Sequence, residues 1–508
     1  MERVSNRHEG DLYGKLLPFD VSSKIHVSLE IAEENAHLVA VQHTAWMLLN
    51  ILLRLQGIVD EVSLFCPHGV PVGGRIVPFA PDETTLRDAL VRGASKLPFV
   101  RFTEGGARSE FVVHVGPVAT AGARINVYGE AWWGGIFDGG EVPHGSGSVL
   151  PFGPYIGACL AAAEIFKLAR MHTSAFSPTR RAFYSSWTYR SGEVVDTSGP
   201  ESCDGVLPGP IVLAGVGAVG CSALHALWAT DIRGELMAAD NDEKGVENSN
   251  LNRYSFFGAD SIGKAKASQA AQSFDGHPLK VIPHDGGFEF FFQDPEKKPM
   301  VVLSAVDKNT VRRAAQDQYP GLLLSASTDD LRAELVRCGP PGRGACLACF
   351  NPPEKSPTDE EIRQELGQQP PEQARLARTL GEAEEAIREW VATGRCGETG
   401  GRILSHLRMR AGDPERFAVG FVSVAAGTML AAQIIKEVLV TTHKVQVLNE
   451  QENRAVLQFW MPCADTNRAR FYARQESCQK CFPGGIGLNI WSERYTRASE
   501  EFARSGLG

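Results

Sequence analysis

The sequence has no strong excess of charge of either sign and no long uninterrupted apolar run. Lys and Arg number 51 against 60 for Asp and Glu, a formal net charge of −9. Such a chain has no global basic field to hold nucleic acid or an anionic membrane surface. The most apolar early segment, residues 38–55, is interrupted by His43, Asn50 and Arg54, and the first residues lack a signal peptide's apolar stretch. We predict a cytoplasmic protein that binds neither nucleic acid nor membrane.

The cysteine content then becomes informative. Eleven cysteines in a reducing compartment are more typical of metal ligands, buried thiols or nucleophiles than of disulfides. With 508 residues, of which 43% are hydrophobic and 22% charged, the chain is long enough for two or more domains, each with its own core.

The second half contains the pattern of a mostly parallel α/β sheet. Strand, loop, helix and strand follow each other from Ile211 to Asp240, and the apolar segments 299–307 and 321–327 predict further buried strands. A ligand crevice is expected at the carboxyl ends of such strands. The turn-rich residues 191–209 predict a linker. The predicted divisions are an N-terminal domain (1–190), the linker (191–209), the first part of the second domain (210–350), a helical insertion of one or two helices (351–401) and the remainder (402–508).

The first half repeats this plan without a glycine fingerprint. Residues 43–65 predict helix, turn and strand, and residues 153–170 resemble residues 415–439 near the C-terminus. The two segments are either equivalent helices of a repeated domain or small-residue amphipathic helices that are alike by chance. We predict an α/β fold with two Rossmann-like domains in one chain, the first a degenerate copy of the second.

The stretch "GVGAVG" predicts a phosphate-binding loop. Gly215 and Gly217 permit a tight turn and close backbone approach, and Gly220 permits close packing of the following helix, whose N-terminus faces the anion. Asp240 ends the next strand, where an acidic residue commonly binds ribose hydroxyls. This pair of features suits NAD as well as ATP.

Two cations favour ATP. Arg253 in "SNLNR" and Lys266 in "GKAK" would neutralise the charge that develops when a carboxylate attacks the α-phosphate of ATP, and a dehydrogenase needs neither. Asp307, at the end of a predicted strand, is a candidate ligand for Mg²⁺, which prefers one or two carboxylates plus phosphate oxygens.

In order and spacing, "GVGAVG", "ENSNLNR", "SIGKAKA" and "SAVDKNTVRR" resemble the adenylation domain shared by ubiquitin-activating enzymes and the bacterial sulfur-carrier activators of molybdopterin and thiamine synthesis. The resemblance spans roughly residues 210–481, and it implies that the second domain is an active adenylation domain. The chain departs from the family pattern at Tyr254, where a glutamine is usual, and by two extra residues near Lys244 and Gly245. The nucleotide and magnesium contacts implied are Gly215, Gly217, Ala218, Asp240, Asn250, Arg253, Lys266 and Asp307.

Two C-x-x-C pairs predict a zinc site. Cys346 with Cys349, and Cys478 with Cys481, would supply four thiolates to a closed tetrahedral site, which is structural because no position stays open for water. The resembling family carries a zinc in this paired arrangement. A redox dithiol or buried free thiols are the alternatives, and the nearby thiols of Cys338 and Cys463 are possible substitute ligands.

The resemblance also implies a nucleophilic cysteine in a crossover loop. Cys396 in "TGRCGETGG" occupies the matching place, where glycines would let the loop move and Arg395 would lower the thiol pKa. The alternative is a cysteine with no chemical role. Cys66, Cys159, Cys203 and Cys221 are poorer candidates, and Cys159 and Cys221 fall in apolar helix patterns typical of buried thiols.

The predicted function is that of an activating enzyme that uses ATP, Mg²⁺ and a structural Zn²⁺. It would adenylate the C-terminal glycine of a ubiquitin-like protein, form a thioester at Cys396 and pass the protein to a conjugating enzyme. One chain would then form a pseudo-dimer, with a further homodimer left open. Arg3 and Arg7 are candidates for a triphosphate contact from the first half by position alone. Alternatives are a sulfur-carrier adenylyltransferase with an unrelated N-terminal module, a non-catalytic nucleotide-binding scaffold and an NAD oxidoreductase.

Overall fold

The structure is a computed structural model that describes residues 24–170, 178–207, 209–294, 298–329, 331–342, 344–351, 359–394, 403, 419–443 and 452–504. The chain forms two compact units. One comprises Met1–Asn351 and Ala418–Gly508, and the other comprises Pro352–Phe417.

The first half of the larger unit is built on an eight-stranded sheet. Its strand order is β3-β2-β1-β4-β5-β6-β7-β8, and the strands are parallel from β3 to β5 and antiparallel from β5 to β8. The last strand extends this sheet into the stretch predicted as a linker. The strands are β1 (Ile25–Ile31), β2 (Val59–Phe65), β3 (Arg101–Glu104), β4 (Phe111–Val115), β5 (Ile125–Glu130), β6 (Trp133–Phe137), β7 (Ala182–Ser185) and β8 (Arg190–Gly192), and the helices are α1 (Val39–Leu52), α2 (Leu86–Ser95) and α3 (Phe152–Arg170).

The second half contains a seven-stranded sheet. Its order is β11-β10-β9-β12-β13-β14-β15, parallel from β11 to β13 and antiparallel from β13 to β15. The strands are β9 (Ile211–Ala214), β10 (Gly234–Ala239), β11 (Leu279–His284), β12 (Val301–Ser304), β13 (Leu322–Asp329), β14 (Arg332–Cys338) and β15 (Arg454–Gln458). Its first helices are α4 (Ala218–Trp228), α5 (Asn248–Leu251), α6 (Lys266–Ser273), α7 (Asn309–Asp317) and α8 (Leu347–Phe350), and 3-10 turns lie at Ala259–Ser261 and Phe288–Phe292.

The smaller unit contains three helices among its described residues, where the sequence predicted one or two. They are α9 (Asp359–Gly367), α10 (Pro370–Leu380) and α11 (Glu384–Thr393), and they pack around Leu376, Ile387 and Trp390. Proline in the first turn of α10 starts a new helix, and Gly381, in the left-handed region (φ 68°), ends it. These breaks divide the predicted helical stretch.

The chain then returns to the larger unit with α12 (Gly420–His443) and ends with α13 (Ile486–Arg504). Among the described residues, α3 and residues Gly420–Val440 of α12 are long and apolar enough to cross a membrane, and 94% of each apolar window is buried inside the protein. Core helices of this kind are apolar on every side because they are surrounded by protein.

The two sheets share one strand order. Strands β1 to β7 match β9 to β15 one for one, with the same parallel and antiparallel neighbours. Helices α3 and α12 occupy equivalent places before the last matched strand, so the similarity of residues 153–170 and 415–439 reflects a repeated domain. The prediction of two Rossmann-like domains in one chain is confirmed.

Buried lysines join the two halves reciprocally. Lys167 of α3 donates to the carbonyl of Phe459, directly after β15, at 2.9 Å. Lys436 of α12 donates to the carbonyls of Ser186 and Trp187, directly after β7, at 2.8 and 2.9 Å. Both ammonium groups are fully buried, so carbonyl partners offset part of the cost of removing them from water.

Candidate active site and metal centre

The predicted nucleotide residues meet at one edge of the second sheet. Gly215 follows β9, Asp240 follows β10 and Asp307 lies three residues after β12. These three strands are parallel neighbours, with β10 and β12 on opposite sides of β9. Their connections leave in opposite directions, which opens a crevice at the carboxyl ends of the strands.

The glycine loop fits the predicted phosphate site. Gly215 has φ 89°, a conformation that residues with a Cβ rarely adopt. A Cβ on Gly220, in the first turn of α4, would lie 2.0 Å from the Gly215 carbonyl oxygen. Gly217 is the N-cap residue of α4, and apart from its own chain neighbours no described atom lies within 4 Å of its Cβ position. The loop is therefore bare on that side, and the N–H groups at the start of α4, from Ala218 onward, are placed to bind an anion.

Asp240 fixes the glycine loop from the neighbouring strand. Its Oδ2 accepts the N–H of Val216 at 2.7 Å, and its Oδ1 accepts the N–H of Asp242 at 3.0 Å. A carboxylate has about four acceptor sites, so these bonds leave Asp240 able to accept ribose hydroxyls, the role predicted for it.

Lys266 is a buried cation beside this carboxylate. It is the first residue of α6 and only 6% exposed, and its Nζ lies 2.5 Å from Asp242 Oδ2 and 3.7 Å from Asp240 Oδ1. Burial alone would lower the pKa of Lys266, but neighbouring Tyr254, Asp240 and Asp242 outweigh it and the pKa is raised. The charge is held in the crevice rather than solvated on the surface.

Asp242 takes part in the candidate site although its sequence pattern did not lead us to predict it. Partial burial would raise the pKa of this carboxyl group, but the hydrogen bond and the charge of Lys266, together with Lys244, outweigh burial and the pKa is lowered. The signal was present in the alternating acids "DND" directly after β10, where two side chains two residues apart share one face.

Arg253 and Asn250 are linked directly. The Arg253 Nη2 donates to Asn250 Oδ1, and Asn250 Nδ2 donates to Glu247 Oε2 at 3.1 Å. Asn250 lies in the short helix α5 and Arg253 two residues after it, half-buried. The structure therefore orients the predicted arginine through the predicted asparagine.

Tyr254 places an aromatic ring where the family pattern has an amide. It is 4% exposed, the Lys266 Nζ lies 5.8 Å from its ring centroid, and its ring contacts that of Phe257 edge-on. An ammonium group at this distance from a ring face is attracted by it. Tyr254 thus forms one wall beside Lys266.

Asp307 is exposed, on a segment that runs beside the glycine loop. The Ala305 N–H donates to the Ala214 carbonyl at 2.9 Å, and the Cβ position of Gly215 lies 3.2 Å from the Ala305 carbonyl oxygen. An exposed carboxylate beside a phosphate loop fits Mg²⁺, whose remaining ligands would be water and phosphate oxygens.

The four predicted metal cysteines form one cluster. Their sulfur atoms all lie within 4.8 Å of one another, with separations of 3.8 Å (Cys346 to Cys349), 3.7 Å (Cys346 to Cys478) and 3.5 Å (Cys349 to Cys481). A tetrahedral ion with Zn–S bonds of about 2.3 Å separates its sulfurs by about 3.8 Å. Donor type, number and spacing are therefore compatible with zinc.

The cysteines of the cluster shift one another's pKa values in opposite directions. Hydrogen bonds with Cys349 and Cys481 raise the pKa of Cys346, whereas hydrogen bonds from Cys346 and Cys481 lower the pKa of Cys349. The Gln475 N–H also reaches the Cys349 sulfur at 3.4 Å, so Cys349 is the cysteine whose thiolate is favoured. The two substitute ligands are not part of the cluster: Cys338 ends β14, and the Cys463 thiol donates to the Arg181 carbonyl at 3.3 Å.

The remaining described thiols are held in the neutral form. Burial raises the pKa of Cys66, Cys203 and Cys221 to about 12 and also raises that of Cys159, Cys338 and Cys463. Cys159 and Cys221 are fully buried in α3 and α4, as their apolar patterns predicted. The predicted nucleophile Cys396 lies outside the described residues, as do Arg3, Arg7 and Arg395.

Residues 189–480, more than half of the chain, match the ThiF family. The chain belongs to that family. The match covers the whole described crevice and three of the four clustered cysteines, and it ends one residue before Cys481.

Individual relatives are more distant. The uncharacterized protein y4jF of Sinorhizobium fredii (strain NBRC 101917 / NGR234) is 31% identical over 242 residues, which cover 44% of this chain and 44% of that protein. Escherichia coli MccB is 16% identical in a structure with MccA-N7isoASN (53% of this chain, 66% of that chain, TM-score 0.34) and 14% identical in a structure with ATP (55%, 66%, TM-score 0.33). The chain thus spans less than half of y4jF and just under two thirds of MccB.

Proposed function

We propose that the protein uses ATP to adenylate the C-terminal carboxylate of a ubiquitin-like protein. The observation that carries this proposal is the grouping of Lys266, Asp240, Asp307 and the bare glycine loop at the carboxyl ends of three neighbouring parallel strands. Membership of the ThiF family supports the same assignment.

In this reaction, a carboxylate oxygen attacks the α-phosphorus of ATP. The new bond joins that oxygen to phosphorus, the bond between the α-phosphorus and the bridging oxygen breaks, and pyrophosphate leaves with the electron pair. The N–H groups of the glycine loop and of the first turn of α4 would bind phosphate oxygens, while Lys266 and Arg253 would neutralise the charge that builds on the phosphoryl group. When bound at Asp307, Mg²⁺ would supply further charge neutralisation.

Lys266 would exchange partners during this reaction. In the structure, its ammonium group is bonded to Asp242 and close to Asp240. A triphosphate carries more negative charge than either carboxylate, and it competes for the same three N–H donors. Asp242 would then hold Lys266 in place between turnovers. Loss of the Asp242 carboxylate would disturb the orientation of the Lys266 side chain more than it would change the charge of Lys266.

The second step of the proposal is thioester formation at Cys396. A thiolate sulfur attacks the acyl carbon of the adenylate, a C–S bond forms, and AMP leaves with the C–O electron pair. The thiolate is the reactive form. Ten of the eleven cysteines are described: four form the metal cluster and the other six have raised pKa values, so Cys396 is the remaining candidate. Transfer to a conjugating enzyme would follow.

The repeated domain favours a ubiquitin-like substrate over a sulfur carrier. In the resembling ubiquitin-activating enzymes, one inactive and one active adenylation domain share a chain, and here two sheets of one strand order share a chain. A sulfur-carrier activator with an unrelated N-terminal module would not have that repeat.

The test combines purified full-length protein, ATP, Mg²⁺ and small ubiquitin-like proteins ending in glycine that are encoded beside its gene. We expect ATP–pyrophosphate exchange that requires the terminal glycine, and a covalent adduct that reducing agent removes and that Cys396→Ser abolishes. An adduct on Cys396→Ser protein that reducing agent removes, or exchange with a carrier lacking its glycine, would contradict the proposal. Exchange without an adduct would favour the sulfur-carrier alternative, and ATP binding without exchange would favour the scaffold.

A further inference from the structure

Arg54 of the first half is a buried cation without a carboxylate partner among the described residues. It lies two residues after α1, is 3% exposed, and forms no ion pair with a described Asp or Glu. Burying a charge in this way is costly unless its N–H groups are bonded. The hydrogen-bond partners of Arg54 therefore indicate the role of its buried charge.

Those partners are main-chain oxygens of the second half. Arg54 Nη1 donates to the Leu251 carbonyl, and Nη2 donates to the Phe257 carbonyl at 2.8 Å. The third donor, Nε, bonds to Asn50 Oδ1 at 2.7 Å, and Asn50 Nδ2 donates to the Ser255 carbonyl at 2.8 Å. Arg54 and Asn50 together hold three carbonyls of one segment.

We name residues 251–257 the nucleotide segment, since it carries Arg253 and Tyr254 and directly follows Asn250. Arg54 bonds to its first and last residues, and Asn50 to a residue between them. Its other fixed points lie on α4, where the Cys221 sulfur accepts the Phe256 N–H at 3.3 Å and the Ser222 hydroxyl bonds to that of Ser255 at 3.1 Å. The segment is thus held between the first half and the helix that starts at the glycine loop.

A guanidinium group is suited to bonding both carbonyls at once, and an ammonium group is not. Its planar fork presents donors in fixed directions, so one group spans two carbonyls at the two ends of a turn, whereas an ammonium group is a compact point charge on a flexible stem. Burial lowers the pKa of Arg54 to about 9, which leaves it charged at neutral pH. Charged donors form the stronger class of hydrogen bond.

We propose that Arg54 is a positioning residue through which the degenerate first half orders the nucleotide segment of the second half. This inference rests on the proposed function. Arg54 does not contact the nucleotide in this scheme, because it is 3% exposed and its hydrogen bonds go to Asn50 and to the carbonyls of Leu251 and Phe257. The first half would then be retained partly because it supplies a fixed wall behind Arg253.

The test compares Arg54→Lys with Arg170→Lys in the full-length protein. Arg170 is an equally buried arginine of the first half, and its Nη2 bonds to the Gly57 carbonyl within that half. Two quantities are measured: hydrogen exchange of the amides of residues 251–257 without nucleotide, and the Kd of ATP with Mg²⁺ by isothermal titration calorimetry. Asn50→Ala, which removes the contact to Ser255 and keeps the guanidinium group, is the second variant and decides the matter if Arg54→Lys does not fold.

We expect Arg54→Lys to speed exchange in residues 251–257 selectively and to raise the Kd of ATP about tenfold, the effect of losing one charged hydrogen bond. Asn50→Ala should shift both quantities in the same direction by a smaller factor. Arg170→Lys should leave both within about twofold of the unaltered protein, whatever its effect on melting temperature.

Unchanged exchange in residues 251–257 for Arg54→Lys, or equal effects of Arg54→Lys and Arg170→Lys, would overturn the inference. If the unaltered protein binds no ATP, the proposed function fails instead. The exchange measurement on ligand-free protein would still decide whether Arg54 orders the segment.

Discussion

The two halves of the chain share a strand order but differ at the carboxyl ends of their strands. In the second half, β9 leads into Gly215 and Gly217, and α4 begins at once with Gly217 as its N-cap. In the first half, the equivalent β1 leads into a longer turn with two exposed acids, Glu33 and Glu34, and α1 begins only after Leu38.

The two halves therefore share an architecture but differ in the residues that line their crevices. Both sheets place the equivalents of β9, β10 and β12 side by side, so both have the crevice that α/β topology produces. A bare loop and a helix N-terminus would attract phosphate in one crevice, whereas two carboxylates would repel it in the other. The first half instead contributes Arg54 and Lys167 to contacts with the second.

The largest expected effect tests whether the metal cluster stabilises one half alone. The described part of the first sheet has no equivalent of the cysteine tetrad. Cys481→Ser should destabilise the protein by about 4 kcal/mol or more, the range of lost metal sites, and speed hydrogen exchange in β13 to β15 while β1 to β4 change little. Cys203→Ser, at a buried cysteine outside the cluster, is the control. A zinc-free protein of unchanged stability would rule out the structural role.

The next effect tests whether the buried cation defines the active crevice. Lys266→Ala should reduce ATP–pyrophosphate exchange about 100- to 1,000-fold, because one preorganised charge at the reacting phosphoryl group is removed. Lys264 is exposed and two residues away, so Lys264→Ala should leave the rate nearly unchanged. Equal losses in the two variants would mean that general charge, rather than the position of Lys266, matters.

A smaller effect is expected in the pH dependence of stability, from two buried histidines, one in each half. His43 of α1 and His225 of α4 are buried and both contact the ring of Tyr155 edge-on. Burial lowers the pKa of His43 to about 4 and lowers that of His225. Between pH 6.5 and about 4 the unfolded chain therefore binds protons that the folded chain does not, and stability falls as pH falls. The slope is up to about 1.4 kcal/mol per proton and pH unit.

Melting temperatures measured from pH 7 to pH 5 check this expectation. His43→Gln should flatten the dependence, and His68→Gln, at an exposed histidine, should not. A dependence as steep in His43→Gln as in the unaltered protein would show that this pair is not its source.

The smallest expected effect tests the first crevice itself. Replacing Glu33 and Glu34 together by Ala should leave the Kd of ATP within about twofold, since surface substitutions change free energies by about 0.5 kcal/mol or less. Calorimetry should give one ATP per chain before and after the change. A second bound ATP in the variant would mean that these carboxylates alone inactivate the first crevice.

Much of the second half was predictable because its signals are local. The strand β12 lies within the apolar stretch that predicted it, and β13 begins within its stretch and runs two residues beyond it. The helix expected after Gly220 is present and begins at Ala218, inside the glycine motif. The cysteine pairs predicted one cluster because thiolates in C-x-x-C spacing suit few other arrangements. Asp242 was missed although the "DND" pattern was visible.

Contacts between the halves were not predictable. Asn50 and Arg54 interrupt an apolar segment, and nothing near them indicates partners about 200 residues away. The number of helices in Pro352–Phe417 was underestimated because the breaks at Pro370 and Gly381 were weighed less than the continuous charged pattern. The structure does not describe Cys396, so its role stays a proposal.

The sequence by itself determined the chemistry available to this protein: the phosphate loop, its acids and cations, and the four cysteines, since each is encoded in a short local motif. Only the tertiary structure decided which side chains hold those groups in place. Arg54, Lys167 and Lys436 act across the interface of the halves, and such partners depend on packing between distant segments, for which a single sequence has no period or motif.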